Sequence, residues 1–325
     1  MNLPSLSVIV PNYNHARTLP VCLRALLAQS APALEVIVID DASTDDSVAV
    51  IEGFARQHPA IRFIRHEANR GVVAGMNHGL DLARGDFVLF AAADDEVLPG
   101  LFEKSLRLLA AHPGAGLCCA IGDWRQAERG LRWHMGVGMS PEPAFLDPAR
   151  LVDLERTGRL FIASHTTVFH RERTRAAGGF APALKWHCDW FVMHVLAFRH
   201  GICHVPESLG ILNIRGASFH ERGRRNPAEY RQLLGELLRR LNSPECADVV
   251  SRIRACGALY LFGGTVLRAV AGQPANRHFL TAAFLRKNLW HSFKLSVKRF
   301  VPAWLGNLYL RLAGFRVKDR KPGTH

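Results

Sequence analysis

The first 120 residues of the chain alternate between two hydrophobic patterns. Short apolar or β-branched runs predict strands at residues 6–11, 34–40, 61–66, 86–92 and 115–120. Between these runs, apolar residues recur at three- and four-residue intervals, which predicts helices at residues 18–29, 45–57, 71–83 and 99–112. Ser43 and Asp46 fit a capping box at the start of the second helix. Strands that alternate with helices predict an α/β fold, with a mainly parallel sheet and helices on both faces.

From about residue 122 the pattern becomes less regular. The sequence predicts a hairpin that turns at Arg129 and Gly130, a buried helix within residues 187–201 and a further strand after it. From about residue 219 the chain reads as helical, basic and amphipathic. We therefore predict a domain of residues 1–220, divided at about residue 120 into two halves, and a helical basic region of residues 221–325.

The charge is unevenly distributed along the 325 residues, whose net charge is +13. Residues 1–220 carry 21 Lys and Arg against 22 Asp and Glu, whereas residues 221–325 carry 20 against 6. The cationic segment also contains Trp290 and Trp304, a mixture that suits a helix at an anionic membrane surface. A helical subdomain with a solvated cationic face is the alternative. No nucleic-acid recognition motif accompanies the charge, so we expect no nucleic-acid partner.

The composition, 48% hydrophobic and 21% charged, is that of a globular protein. Seven cysteines without a CxxC pair indicate reduced thiols, as in a cytosolic protein, and not a disulfide framework or a zinc site. The N-terminus lacks a signal-peptide pattern, and no window holds 18 uncharged apolar residues. We therefore expect a cytoplasmic protein without a membrane span.

Polar residues follow three of the predicted strands at the point where each strand ends. They are residues 11–14, the pair Asp40 and Asp41, and the pair Asp94 and Asp95. In a parallel sheet, ligands bind beyond the carboxyl ends of the strands, so we expect these residues to meet in one cleft. Two adjacent carboxylates at the end of a buried strand are expected to bind a cation, because their negative charges otherwise repel each other. Mg²⁺ or Mn²⁺ suits such oxygen ligands and can bridge them to the phosphate of a ligand. A helix N-cap formed by Asp94 or Asp95 is the alternative.

Four motifs, which follow one another in a fixed order along the chain, indicate a specific protein family. The motifs are SVIVPNYNHARTLPVCLRALLAQ, VIVIDDASTDDS, NRGVVAGMNHGLDLARGDFVLFAAADDEVLPG and GGFAPALKWHCDWFV, and they lie within about residues 5–220. This set resembles the family 2 inverting glycosyltransferases, which have the Rossmann-like GT-A fold. The family usually has Asp-Ala-Asp-Asp where this chain has Ala92, Ala93, Asp94 and Asp95. Ala92 therefore lacks the carboxylate that the first Asp of that motif supplies.

The resemblance implies roles for residues at the strand ends. Asp94 corresponds to the metal ligand, and Asp40 with Asp41 corresponds to the pair that reads the nucleoside, which is expected to be a uracil type. Arg70 is equally well explained as a phosphate or sugar contact or as a solvated loop cation. The predicted nucleotide-sugar-binding residues are Pro11, Asn12, Tyr13, Asn14, Asp40, Asp41, Asn69, Arg70, Gly71, Asn77 and Asp95.

Asp189 is the predicted catalytic base. In an inverting transfer the acceptor hydroxyl must lose a proton, and a carboxylate within hydrogen-bonding reach can accept it. Asp189 is followed by Trp190 and preceded closely by Trp186, and this apolar setting is expected to raise its proton affinity. The family usually has a second acidic residue where this chain has Cys188. An N-cap for the following helix is the alternative.

The sequence thus predicts a metal-dependent inverting glycosyltransferase. Its expected partners are a nucleotide-diphosphate sugar, with a UDP-sugar favoured, and a glycan or glycolipid acceptor such as an envelope polysaccharide precursor. The expected location is peripheral, on the inner face of a bacterial cell membrane. Two alternatives remain: a nucleotidyltransferase, against which the N-terminus lacks a Gly-rich, Lys-containing phosphate loop, and a catalytically impaired nucleotide-sugar-binding or scaffold protein, which Ala92 makes worth considering.

Overall fold

The structure, a computed structural model, describes residues 3–214 and 226–300 of the chain. The strands within these residues are β1 (Leu6–Asn12), β2 (Glu35–Asp40), β3 (Ile61–Arg65), β4 (Phe87–Phe90), β5 (Glu96–Val97), β6 (Leu117–Gln126), β7 (Leu131–Met135), β8 (Ala144–Leu146), β9 (Val168–His170) and β10 (Ile202–Asn213). They form one sheet in the order β3-β2-β1-β4-β9-β6-β10-β5, with β7 paired to β6 and β8 paired to β10.

The helices connect these strands and then continue beyond them. Those that precede or connect strands are α1 (Leu19–Leu27), α2 (Ser47–Gln57), α3 (Val72–Leu82), α4 (Leu101–Ala111), α5 (Pro148–Arg156), α6 (Arg171–Ala176) and α7 (Cys188–His200). The four that follow the last described strand are α8 (Pro227–Leu241), α9 (Ala247–Cys256), α10 (Gly263–Gly272) and α11 (Ala282–Phe300). The predicted helical character of the C-terminal region therefore holds for the described residues.

The sheet is parallel in two blocks. Strands β3, β2, β1 and β4 run parallel to one another, and so do β6 and β10. The short strand β9 joins the two blocks and is antiparallel to both of its neighbours, β4 and β6. The prediction of a mainly parallel α/β sheet is confirmed.

Each face of the sheet carries its own hydrophobic core, because the central strands are apolar on both faces. In β1, Val8 and Val10 pack on the face that carries α1, α2 and α4, whereas Ile9 packs on the face that carries α3, α5 and α7. Gly79 of α3 lies so close to β1 that an added Cβ would be 2.3 Å from Cγ2 of Ile9. Helix α3 is thereby held against the strand whose end reaches the candidate site.

The C-terminal helices share the second of these cores. Leucines of α8 are buried in the same apolar cluster as Leu196 of α7 and Leu151 of α5. Two ion pairs reinforce the contact: Arg199 binds Asp248 of α9, and the buried Lys287 of α11 donates to Glu155 of α5 at 2.6 Å. The predicted boundary at residue 220 lies outside the described residues and stays a prediction.

The predicted capping box at the second helix is wrong. Helix α2 begins at Ser47, and Asp46 is its N-cap residue. The Ser43 hydroxyl instead donates to Asp40 at 2.5 Å and accepts from the backbone N–H of Asn14 at 2.9 Å. The Ser43 hydroxyl is therefore bound by Asp40 and Asn14 at the strand ends and does not cap α2.

Among the described residues, no single helix combines the length and the apolar composition needed to cross a membrane. Only the two segments Pro244–Cys256 and Ala258–Gly272 together reach that length and composition, and they are bent by 75° relative to each other.

Candidate functional site

A cleft of about 800 Å³ opens at the carboxyl ends of β1, β2 and β4. Its walls come from the residues after these strands, the start of α3, the 3-10 turn Ser164–Thr166 and the start of α7. The strand ends meet in one cleft, as the sequence predicts. Nine of the predicted site residues line it: Pro11, Asn12, Tyr13, Asp41, Asn69, Gly71, Asp94, Asp95 and Asp189.

Asp41 is a cleft carboxylate that accepts three hydrogen bonds. Its Oδ1 accepts from Nδ1 of His66 at 2.8 Å and from the backbone N–H of Arg70 at 2.9 Å, and its Oδ2 accepts from the backbone N–H of Gly71 at 2.7 Å. Burial would raise the pKa of Asp41, but these hydrogen bonds outweigh it and hold the pKa below its ordinary value. Asp41 is therefore an ionised acceptor that faces the cleft.

Four of the predicted binding residues are not among the described residues that line the cleft. Asp40 is buried and accepts from Nδ2 of Asn12 at 2.8 Å and from the backbone N–H of Ser43 at 3.0 Å. Asn14 adopts φ of 58°, and its Oδ1 accepts from the backbone N–H of Thr44 at 2.8 Å. Both side chains tie the loop after β1 to the loop after β2. In this geometry they support the cleft from behind.

The other two of these four residues are Arg70 and Asn77. Arg70 gives its backbone N–H to Asp41, and its side chain is exposed. The amide of Asn77 binds the backbone of Phe180 in both directions, donating at 2.7 Å and accepting at 2.9 Å. Asn77 thus fastens α3 to the loop that leads into α7. A side chain with both hydrogen-bonding groups engaged in this way positions the cleft wall.

Asp94 and Asp95 follow β4 and line the cleft. Asp95 accepts from the backbone N–H of Asn213 at 2.9 Å, and the backbone carbonyl of Asp94 accepts from Nδ2 of Asn213 at 2.9 Å. Burial, and then the charges of Asp95 and Asp94, raise the pKa of the neighbouring Cys22 thiol to about 12. The two carboxylates therefore concentrate negative charge at this point of the wall.

These residues fit a divalent cation that is shared with a ligand. Among the described residues, no three His, Cys, Asp or Glu side chains form a complete metal site. Mg²⁺ and similar hard cations commonly use one or two carboxylates, and substrate phosphates supply further oxygens. A part-exposed Asp94 in the cleft wall, beside Asp95, would provide the protein's share of such a donor set.

Asp189 stands in the first turn of α7, with His187 as the N-cap residue of that helix. Its Oδ1 accepts from the backbone N–H of Trp190 at 2.7 Å, and the Ser164 hydroxyl also hydrogen-bonds to its carboxylate. Burial nevertheless dominates over these bonds and raises the pKa of Asp189. The carboxylate in the wall of the cleft thus has the increased proton affinity that its aromatic surroundings predict.

Among the cleft residues that sequence reasoning missed are Ser164, Lys185 and Asn213. Ser164 and Asn213 become visible only through their bonds to Asp189 and to the pair Asp94–Asp95. Lys185 has φ of 46° and ψ of −119°, a conformation that costs a non-glycine residue on the order of 1–3 kcal/mol. Lysine carries no sequence signal for such a turn, since this conformation normally selects glycine.

The fold and the cleft define an α/β protein of the GT-A class. TarS of Staphylococcus aureus, residues 1–349 in complex with UDP-GlcNAc, superposes with a TM-score of 0.62 at 17% identity, over 90% of this chain and 92% of that one. The mannosyltransferase PcManGT of Pyrobaculum calidifontis, in complex with GDP-Man and Mn²⁺, gives a TM-score of 0.53 at 19% identity, over 90% and 88% of the two chains. At sequence identities this low, the similarity to these two structures shows the fold alone.

The sequence itself assigns the family. Residues 7–175, more than half of the chain, match the family described as glycosyl transferase family 2, and the protein belongs to that family. The uncharacterized glycosyltransferase YibD of Escherichia coli (strain K12) is 38% identical over 129 residues, which are 40% of this chain and 37% of the relative. The uncharacterized protein MT1568 of Mycobacterium tuberculosis is 28% identical over 247 residues, covering 72% of this chain and 76% of the relative. The chain thus spans little more than a third of the E. coli relative.

Proposed function

We propose that the protein is an inverting glycosyltransferase that moves a sugar from a nucleotide-diphosphate sugar to an acceptor hydroxyl, with Mg²⁺ or Mn²⁺. One observation carries the proposal: Asp41, Asp94 and Asp189 project from three separate parts of the chain into the same cleft. They supply an acceptor for a base, an oxygen ligand for a cation and a proton acceptor. Family membership and the GT-A fold support the same reaction.

Asp41 favours a uracil base. A carboxylate offers about four lone-pair positions, and the side chain of His66 with the backbone of Arg70 and Gly71 takes three of them. The remaining position, on Oδ2, suits the single imide N–H of uracil. Guanine presents two adjacent N–H groups, which would need both oxygens of the carboxylate. The occupied hydrogen-bonding positions therefore support a UDP-sugar as donor.

Asp94, with Asp95 beside it, would hold the divalent cation together with the donor's phosphate oxygens. A cation held there would neutralise negative charge on the diphosphate leaving group. The protein's own part is to hold the turn that carries the two carboxylates: the backbone N–H of Asn213 donates to the Asp95 carboxylate, and its side-chain amide donates to the backbone carbonyl of Asp94. Cys22 stays a protonated thiol beside them, and its hydrogen bond to the Ala92 carbonyl at 3.4 Å helps to hold this turn.

Asp189 is the proposed general base. The acceptor oxygen forms a bond to the anomeric carbon while the bond from that carbon to the diphosphate oxygen breaks, and the hydroxyl proton passes to the Asp189 carboxylate. Attack from the face opposite the leaving group inverts the anomeric configuration. The raised pKa of Asp189 suits this role, because a more basic carboxylate takes the proton more readily.

A glycan or glycolipid acceptor, such as an envelope polysaccharide precursor at the inner face of a bacterial membrane, is the proposed second substrate. Helix α11 supports peripheral attachment through its side-chain distribution. It turns Lys287 and Asn288 inward and leaves Leu289, Trp290 and Phe293 exposed by 73%, 59% and 58%. The exposed apolar strip lies in a basic segment, a combination that favours the interface of an anionic bilayer. Trp304 and residues 301–325 lie outside the described residues.

Donor hydrolysis and transfer can be tested on a panel of UDP-, GDP- and dTDP-sugars. We expect release of nucleotide diphosphate from a UDP-sugar in the presence of Mn²⁺, and its loss with EDTA or in Asp94→Asn. A matched control is Asp153→Asn, which neutralises an exposed carboxylate on α5 and is expected to keep full activity. Failure of every donor to bind or react in the presence of metal would contradict the proposal.

A nucleotide-sugar-binding protein without transferase activity is the second candidate, and Ala92 favours it. Ala92 is exposed in the cleft at the position where the family usually has a carboxylate. If this loss has removed catalysis, UDP-sugars should bind in the presence of metal without turnover, and Ala92→Asp should restore release of UDP. Turnover by the unaltered chain would exclude this candidate.

A further inference from the structure

Lys185 adopts a backbone conformation that lysine rarely takes. Its φ of 46° and ψ of −119° place it in a turn geometry that normally requires glycine. Backbone outliers of this kind concentrate at functional sites, where the surrounding structure holds them in place. A glycine at this position would remove the strain, so the retained lysine suggests a use for its side chain.

Lys185 also differs from its surroundings in charge. Among the described residues that line the cleft, it is the only Lys or Arg, whereas four of the lining residues are aspartates: Asp41, Asp94, Asp95 and Asp189. Its side chain is 43% exposed, so it can reach a ligand in the cleft. It lies four positions before Asp189 in the chain, at the entrance to α7.

The ammonium group of Lys185 is occupied by a partner that a ligand could replace. Its Nζ donates to Oε1 of Glu229, which lies in the first turn of α8 and is 29% exposed. Such a part-exposed ion pair contributes little to stability, because water screens both charges. A phosphate group offers more oxygen acceptors and up to two negative charges in the same place.

We infer that Lys185 binds a phosphate-type oxyanion of a substrate, and that Glu229 holds the lysine in position until the oxyanion displaces it. This inference rests on the proposed function. The oxyanion has two chemical sources: the diphosphate of the donor, or a phosphate carried by the acceptor. Lysine binds phosphate as a compact point charge, and the neighbouring carboxylates of the cleft otherwise repel a phosphorylated ligand.

Calorimetric titration with UDP and uridine, in the presence of Mn²⁺, tests the donor source. Lys185→Gly should raise the Kd for UDP about tenfold, which is the loss of one charge-assisted hydrogen bond, and leave the Kd for uridine unchanged. Lys185→Arg should retain most of the affinity for UDP. Glu229→Gln should lower the Kd for UDP, because the competing carboxylate is gone. Lys104→Ala, which removes a lysine paired with Glu207 outside the cleft, is the control and should change neither constant.

Inorganic phosphate tests the acceptor source. Equal UDP affinity in Lys185→Gly and in the unaltered protein would exclude the donor source. In that case we expect inorganic phosphate to raise the melting temperature of the unaltered protein saturated with UDP and Mn²⁺. Phosphate should not raise the melting temperature of Lys185→Gly under the same conditions. Equal responses of protein and variant to both UDP and phosphate would overturn the inference. If the unaltered protein binds no nucleotide, the proposed function is contradicted instead. The effect of phosphate on the melting temperatures of the unaltered protein and of Lys185→Gly, measured without UDP, then tests the role of Lys185 separately.

Thermal unfolding separates this role from a purely structural one. Lys185→Gly relieves the backbone strain and is expected to melt at or above the temperature of the unaltered protein. An ion pair that served only to fasten α8 would give the opposite pattern, with a lower melting temperature in both Lys185→Gly and Glu229→Gln and unchanged affinity for UDP. That result would also overturn the inference.

Discussion

Nδ1 of His66 donates to Oδ1 of Asp41 across 2.8 Å, and this bond links the cleft to a second histidine behind it. Because the Asp41 carboxylate is ionised, Nδ1 of His66 must carry the proton. Nε2 of His66 lies 2.9 Å from Nδ1 of His78, and the two rings stack with centroids 5.2 Å apart. In this hydrogen bond one of the two nitrogens donates and the other accepts.

His66 is therefore expected to position Asp41 for the base. His66→Leu should weaken UDP binding about fivefold, because the carboxylate loses one of its three hydrogen-bond donors and can rotate. His66→Asn, whose amide can donate from nearly the same place as Nδ1, should recover most of the affinity. Calorimetric titration with UDP provides the measurement, and His58→Ala, at the C-cap of α2 and before β3, provides a control. Equal affinity in His66→Leu and the unaltered protein would rule out this positioning role.

Asp189→Asn should leave UDP affinity unchanged and reduce turnover by roughly 10²–10⁴-fold, the usual contribution of a general base. In the unaltered protein, turnover should fall as the pH decreases through the raised pKa of Asp189, because a protonated carboxylate cannot accept the acceptor's proton. Initial rates across the pH range provide the measurement. Persistent turnover in Asp189→Asn would refute the assignment.

The same carboxylate should reduce the stability of the fold at neutral pH. The folded pKa of Asp189 lies above its unfolded value, so its relative stabilisation is present below the unfolded pKa and is lost as the pH rises through the folded pKa. Asp189→Asn should accordingly melt at a higher temperature than the unaltered protein near pH 8, and the difference should shrink towards acid pH. A constant difference at all pH values would contradict this linkage.

The spacing between α3 and β1 should limit what Gly79 can become. An added Cβ would be 2.3 Å from Cγ2 of Ile9 in the buried core, so Gly79→Ala should destabilise the fold by about 1–3 kcal/mol. Gly53 in α2 is the matched control, because nothing lies within 4 Å of its added Cβ. Gly53→Ala should stabilise by about 0.5–1 kcal/mol through helix propensity. Denaturant unfolding measures both, and a stabilising Gly79→Ala would show that the contact can relax.

The alternation of helices and strands could be predicted from the sequence, because the spacing of apolar residues shows which positions are buried against the sheet. The choice between Asp40 and Asp41 was not readable. The two are adjacent at the end of β2, and the chain turns through Ala42 with φ of 61°, so that one carboxylate faces inward and the other faces the cleft. Sequence gives the charge at a strand end but not its direction.

The remaining differences have the same physical origin, because they depend on partners that are distant in the chain. Asn77 is held by the backbone of Phe180, which lies 103 residues away, and Asp95 by that of Asn213, which lies 118 residues away. Lys185 becomes a candidate only through its φ and its ion pair with Glu229. No local pattern encodes such contacts. They decide which polar residues line the cleft and which hold its walls.

The exposed apolar strip of α11 gives the last prediction. Its inward face contains Phe284 and Lys287, which are buried against the rest of the protein, so removal of the whole helix would damage the fold. Combined substitution of Leu289, Trp290 and Phe293 by Gln keeps that inward face. It should greatly reduce sedimentation with phosphatidylglycerol vesicles, because the interface loses its apolar anchors.

Three further residues provide the control for this experiment. Val21, Leu34 and Val137 are apolar and exposed elsewhere on the surface, so their combined substitution by Gln should leave sedimentation unchanged. Binding of the unaltered protein should weaken with phosphatidylcholine vesicles or in high salt, since the basic residues of this segment attract anionic lipid and salt screens that attraction. Equal sedimentation of the α11 variant and the unaltered protein would show that the strip does not contact the bilayer.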